Sequence, residues 1–317
     1  MTRYILKRVL LSVFLILAIT ILNFFIIYKA PGTPMDYLSN PRVTEATLDQ
    51  KAEDFGLKRP VYIQYLDWLK NLLNGELGKS YMTYEPVIDI LKVRVVNSFY
   101  LMGTALILGI VFALLFGALA AFRRNSLLDR YISFSSLLKI SIPNFFLALL
   151  LVYFLSIKLK WLPSGGMSTP GLENRVGDTL KHLIMPSLVL ASNVVGRNAR
   201  FVRSALIEVM EKDYIVTARM KGMGRKRAVL KHGLRNAMLP IITGLGLEIP
   251  MIFSGAIITE SVFQWPGIGM LLMNAISRRD YPVIMGMSLT AAIAVVLTHF
   301  LIDMLYLYVD RRIAYEK

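Results

Sequence analysis

The chain has 317 residues, 55% of them hydrophobic, with mean hydropathy +0.54, a formal net charge of +15 and no cysteine. This balance excludes an ordinary soluble domain, whose apolar residues come in amphipathic stripes rather than long runs. The missing cysteine excludes disulfides and thiolate metal sites. The positive charge fits either nucleic acid or membrane topology, and its distribution along the chain decides between them.

A bilayer core about 30 Å thick takes roughly 20 apolar residues as helix. The first run, 9–28, follows Arg3, Lys7 and Arg8. It is long for a signal peptide, and Tyr28-Lys29-Ala30 offers no small-x-small cleavage site, so it reads as a retained first span.

Residues 31–98 carry the signals of three helices. Thr44 and Glu45 start one that ends at Gly56, and Pro60 opens an amphipathic one to about Asn74. Pro86 opens a third that runs into the second span. Among them lies Gly75-Glu76-Leu77-Gly78-Lys79-Ser80, which ends like a phosphate-binding loop. That motif needs a first glycine at position 73, which is Leu73, and a strand before it. Tyr62, Tyr65, Leu66, Leu69, Leu72 and Leu73 have helical spacing instead. No nucleotide site is expected here, and Gly75 reads as a helix stop.

The later runs are 99–122, 134–157, 237–260 and 284–309. A sixth, 183–201, carries Asn193, Arg197, Asn198 and Arg200. Lys and Arg near span ends stay in the cytoplasm. Residues 1–8 hold three of them and no acid, and 197–236 hold eleven against three acids. Both segments are therefore expected inside, so an even number of crossings separates them and 183–201 must cross. Arg197 and Arg200 would then snorkel to the interface. Six spans follow, with both termini cytoplasmic, in agreement with Arg311 and Arg312 after the last. Residues 31–98, with eight basic and nine acidic residues, fall outside. The charge is a topology signal, and nucleic acid is not an expected partner. The divisions are 1–30 (N-terminal segment and first helix), 31–98 (external helical segment) and 99–317 (five-helix core with a cytoplasmic loop at 203–236).

In that loop Asp213 is expected as N-cap of a two-turn helix, Tyr214 to Lys221, stopped by Gly222. Tyr214, Thr217, Ala218 and Lys221 share one face, and the small Thr217 and Ala218 allow close approach of another protein. After the fifth run, Phe263-Gln264-Trp265-Pro266-Gly267-Ile268-Gly269 breaks the apolar pattern. It suggests an outer, re-entrant element and makes Trp265, Pro266 and Gly267 candidates for an outer gate. Polar groups inside spans are costly and functional by default. Asn144 after Pro143, Asn193, Glu248, Ser254 and Glu260 are the pathway candidates, with Met251 as an adaptable apolar wall. His299 and Asp303 are i,i+4 neighbours.

The stretches DFGLKRPVYIQYLDWL (54–69), GELGKS (75–80), DYIVTARMKG (213–222), LRNAMLP (234–240) and GAIITESVFQWPGIG with AISRRDYP (255–282) resemble the permease subunits of ABC importers. The nearest resemblance is to the B-type subunit of the dipeptide/oligopeptide/nickel permease family, over nearly the whole chain. It implies an all-α integral membrane protein of the type I ABC importer transmembrane fold. It also implies that the short loop helix docks in an ATPase. The so-called EAA signature here reads Val216-Thr217-Ala218, with Gly222 as the loop glycine, and Asp213, Tyr214, Arg219 and Lys221 flank it. The implied partners are a homologous second permease, two ATPase subunits and an external solute-binding protein, in a bacterial or archaeal plasma membrane. ATP and Mg would bind those partners, and no cofactor, metal or catalytic residue is expected on this chain. The resemblance points to di- or oligopeptides, while nickel or other metal chelates, glutathione and oligosaccharides use similar permeases. Two other classes compete. A proton-coupled secondary transporter would use Glu248, His299 or Asp303 as a relay, but the halves show no internal repeat. An intramembrane enzyme lacks H-E-x-x-H and G-x-S-x-G.

Overall fold

The computed structural model describes residues 2–38, 44–173, 175–233, 237–238, 241, 244 and 256–309. Among these the chain is helical, and the one β-type pairing is an isolated bridge between Lys79 and Pro86. The residues fall into two compact units, Met1–Ser98 with Pro266–Leu297 and Phe99–Trp265 with Thr298–Lys317. The helix Val87–Phe122 and the final helix carry residues of both.

In the first unit, α1 spans Thr2–Lys29 and a short α2 spans Pro34–Leu38. Thr44 caps α3, Glu45–Asp54, by accepting from the Thr47 N–H, and Gly56 leaves the helix at φ +69°. Pro60 opens α4, Val61–Leu73, and Gly75 follows it at φ +83°. These are the starts and stops that the sequence signals. Helix α4 lies on α1: the Tyr65 ring meets Phe24 edge-on at 5.3 Å, and its hydroxyl reaches Thr20 at 3.1 Å. The GELGKS stretch is a turn rather than a phosphate cradle. Ser80 Oγ donates to Asp280 Oδ2 at 2.5 Å, and the Tyr81 N–H donates to Oδ1 at 3.0 Å. Burial pushes the Tyr81 phenol pKa up, and the Asp280 carboxylate adds to this, so the phenol stays protonated. The continuous helix α5, Val87–Phe122, joins the helix that Pro86 opens to the second apolar run, as expected.

The second unit continues α5 and adds α6, Leu127–Ser141, and α7, Asn144–Leu151, which widens into a π-helical turn at Val152–Lys158. The run 134–157 was expected as one span, and here the structure differs. Helices α6 and α7 meet at 103°. Pro143 has no N–H to continue the ladder and holds Ile142 extended, at φ −81° and ψ 121°. Helix α8, Val176–Met210, is continuous through Pro186 and buries one face while Arg197 and Arg200 stay exposed. Gly109 and Gly117 of α5 face Val194 and Val202 of α8, where an added Cβ would come within 2.6 Å of each valine. Small residues thus bring these two helices together within the chain. Short helices α9, Asp213–Met220, and α10, Arg225–Ala228, come next. Of the run 237–260, residues 237–238, 241, 244 and 256–260 are described and helical. Returning to the first unit, α11 spans Ile268–Arg278 and α12 spans Tyr281–Val309.

Among the described residues, Arg8–Lys29, Val87–Phe122 and Tyr281–Phe300 are long and apolar enough to cross a bilayer, and the bent α6–α7 pair makes a fourth candidate.

Candidate functional site

Helix α9 is built to be presented. Helix α8 ends at Met210 with Glu211 as its C-cap, and Lys212 pairs with Glu208 at 3.0 Å. The cap position belongs to Lys212, in extended conformation, and Asp213 is the first helical residue instead of the expected N-cap. An acid in the first turn still suits the helix dipole, and Thr217 Oγ donates to the Asp213 carbonyl at 2.9 Å. At the other end the Gly222 N–H reaches the Arg219 carbonyl and the Met223 N–H reaches the Ala218 carbonyl. This paired closure is a Schellman motif, and its left-handed residue is Gly222, at φ +86°.

One residue anchors the helix. Ile215 is fully buried in a cluster with Val209, Met210, Val229 and Ile241. Around it Tyr214, Val216, Thr217, Arg219, Lys221 and Gly222 are exposed, Ala218 is half-buried, and Met220 is 83% exposed. Val216, Arg219, Met220 and Gly222 border a shallow depression of about 520 Å³. A Cβ on Gly222 would meet nothing within 4 Å. The helix is thus fixed to its own chain by one face, and it offers an apolar and cationic surface on the rest. Ile215 went unnoticed in the sequence, where it looks no more apolar than Val216.

Two pathway candidates meet: Asn193 of α8 donates to Asn144, the first residue of α7, at 2.5 Å. Glu260 is fully buried and its carbonyl accepts the Trp265 N–H at 2.8 Å. Trp265 is itself fully buried, so its ring is a packing group rather than an interface anchor. The turn around it is held by the Phe263 carbonyl, which accepts from Gly166, with Gly165 packed close against it. Pro266 and Gly267 belong to the other unit. There the Pro266 carbonyl accepts from Asn97, Ser98 Oγ accepts the Ile268 N–H, and Gly267 caps α11. Glu248, Met251 and Ser254 lie outside the described residues, as does the Asp303 side chain.

A further pair escaped sequence reading. Arg203 of α8 grips Asp129 of α6 by two bonds, Nε to Oδ1 at 2.6 Å and Nη2 to Oδ2 at 2.8 Å. Asp129 is 5% exposed and also accepts the Asn125 N–H. In sequence, Arg203 is one of eleven loop cations, and nothing local marks it as the paired one.

Comparison with known proteins gives this site a setting. Residues 113–315 match the family described as binding-protein-dependent transport system inner membrane component, and residues 1–102 match its N-terminal counterpart. The chain is 42% identical over 316 residues to the oligopeptide transport system permease protein AppB of Bacillus subtilis (strain 168), covering 99% of this chain and 100% of that one. It is 33% identical to the glutathione transport system permease protein GsiC of Escherichia coli (strain K12), over the full length of both. The fold is similar to that of the MetNI methionine ABC transporter in its inward-facing conformations, with TM-score 0.57, 20% identity, 71% of this chain covered and 99% of the other. These likenesses leave no place for the proton-coupled reading. The chain belongs to the binding-protein-dependent transport system inner membrane components, the multi-pass permease subunits of ABC importers.

Proposed function

We propose that the chain forms half of the translocation pathway of an ATP-driven importer for di- or oligopeptides. Helix α9 is its coupling element. The observation that carries the proposal is the presentation of α9, anchored by Ile215 and exposed except at the half-buried Ala218, in a chain whose relative over its whole length is an oligopeptide permease.

In this reading the chain crosses a bacterial or archaeal inner membrane six times, with both termini cytoplasmic and 31–98 external. A homologous permease completes the pathway. Two ATPase subunits hold ATP and Mg and clasp α9, and an external binding protein delivers the substrate. ATP binding closes the ATPases, and α9 transmits that motion through α8, with which it shares the Val209–Ile215 packing. The pathway opens outward under the binding protein, and hydrolysis resets it. Asn144 and Asn193, with Glu248, Met251, Ser254 and Glu260, are the proposed pathway groups, and Trp265, Pro266 and Gly267 form the proposed outer gate.

The test is purification of the intact assembly in gentle detergent, reconstitution, and uptake of labelled dipeptide, pentapeptide, glutathione and a nickel chelate. Uptake of peptide that needs ATP and the binding protein supports the proposal. Transport of glutathione or the chelate alone would overturn the substrate. Purification without ATPase partners would overturn the coupling role.

A further inference from the structure

The first unit holds a cavity of about 460 Å³ that the import cycle does not use. One wall is α1, through Phe24, Ile27 and Tyr28. These residues end the apolar stretch Arg8–Lys29, only 6% of whose most apolar window is buried in the chain. A helix this exposed within its own chain is open to lipid, and aromatic residues at the end of a span favour headgroup depth. The lining is also mixed in sign. Arg59 and Asp67 pair with each other at 3.0 Å, and Asp54 and Lys79 add a further carboxylate and a further cation.

Rings also line the cavity, including Phe55 stacked on Tyr81 at 4.2 Å, and Tyr84. The Tyr84 ring already has a cation near it, Lys51 Nζ at 5.8 Å from its centroid. Trp68 also lines the cavity, and its buried indole Nε1 has no hydrogen-bond partner. A buried donor without an acceptor is destabilising, and an acceptor oxygen brought by a ligand would relieve it.

We propose that this cavity binds one zwitterionic phospholipid, with the acyl chain along α1 and the headgroup among the charged groups and the rings. The ammonium is received by Asp54 and the ring faces, and the phosphate or ester oxygens by Lys79 and Trp68. The mixed charges favour an ammonium-phosphate headgroup over a purely anionic one, and the α1 wall favours a lipid over a free zwitterion.

Native mass spectrometry of the intact assembly tests this, with release of the permease subunit and titration by phosphatidylethanolamine, phosphatidylglycerol, soluble phosphoethanolamine or trialanine. The expected result is one retained phosphatidylethanolamine, held at least tenfold more tightly than phosphatidylglycerol and not displaced by either soluble zwitterion. Trp68→Phe and Lys79→Gln should each weaken retention about tenfold. Lys79 is exposed, so its variant keeps the test open if Trp68→Phe fails to fold. Equal retention of phosphatidylglycerol, displacement by phosphoethanolamine or trialanine, or unchanged retention in Lys79→Gln would overturn the proposal.

Discussion

Ile215 and Met220 stand five residues apart on α9 and face opposite demands, so truncating each to alanine separates folding from coupling. Ile215 is fully buried, and an isoleucine cut to alanine in a closed core costs about 2–5 kcal/mol. That loss should appear in the chain itself, as a lower melting temperature and poorer yield. Met220 is 83% exposed, so its truncation should move chain stability by no more than about 0.5 kcal/mol. If an ATPase covers α9, the same side chain becomes buried in the assembly. Complete burial of methionine contributes about 1.5–3 kcal/mol, of which most is still available here. At about 1.4 kcal/mol per decade, Met220→Ala should weaken ATPase binding roughly 10- to 50-fold. Thermal shift in detergent reads the first quantity, and titration of ATPase onto nanodisc-held permease pairs reads the second. Normal ATPase affinity in Met220→Ala would refute the docking role of α9, as would a thermal loss matching that of Ile215→Ala.

Three more tests bear on other parts of the molecule. Gly222→Val should insert normally yet lower uptake at least tenfold, because the left-handed backbone at φ +86° resists a side chain by roughly 1–2 kcal/mol and disturbs the α9 stop; normal uptake would count against that stop being needed. Arg203→Gln leaves Asp129 without its cation, which should cost about 1–3 kcal/mol because the pair is only partly desolvated, whereas Asp129→Asn with Arg203→Gln should recover part of it in a thermal-shift cycle; additive losses would show that the pair acts separately. Asn144→Ala and Asn193→Ala should lower uptake by similar factors, and the double variant by no more than either alone, since each removes the same bond; multiplied losses would assign the two side chains independent contacts in the pathway.

Local chemistry made much of the fold legible. The threonine cap at Thr44, the proline start at Pro60 and the glycine stops at Gly56, Gly75 and Gly222 are each decided within a turn or two of chain, and each is where the sequence places it. The limits of α9 were read the same way, with the cap shifted by one residue because Lys212 adopts the extended conformation. The break at Ile142–Pro143 was underread, since a proline inside an apolar run is compatible with a kinked span, and the packing of α6 and α7 on α8 selects a bend of 103°. Partner choice was least legible. Arg203 finds Asp129 across 74 residues, and Ile215 is selected for burial by where α8 and the Val229–Gly233 turn lie. Neither depends on spacing within one helix. The pathway group around Glu248 lies outside the described residues, so sequence alone still speaks for it.

The clasp between Ser80 and Asp280 has a consequence for biogenesis. Its two halves are 200 residues apart. During synthesis at roughly 5–20 residues per second, the GELGKS turn waits about 10–40 s before its carboxylate partner leaves the ribosome. Until then only local bonds hold the turn: the Met82 and Thr83 N–H groups donate to Ser80 Oγ, and the Tyr84 N–H donates to the Ser80 carbonyl. Closure therefore requires the chain to have been made as far as Asp280, the residue just before α12.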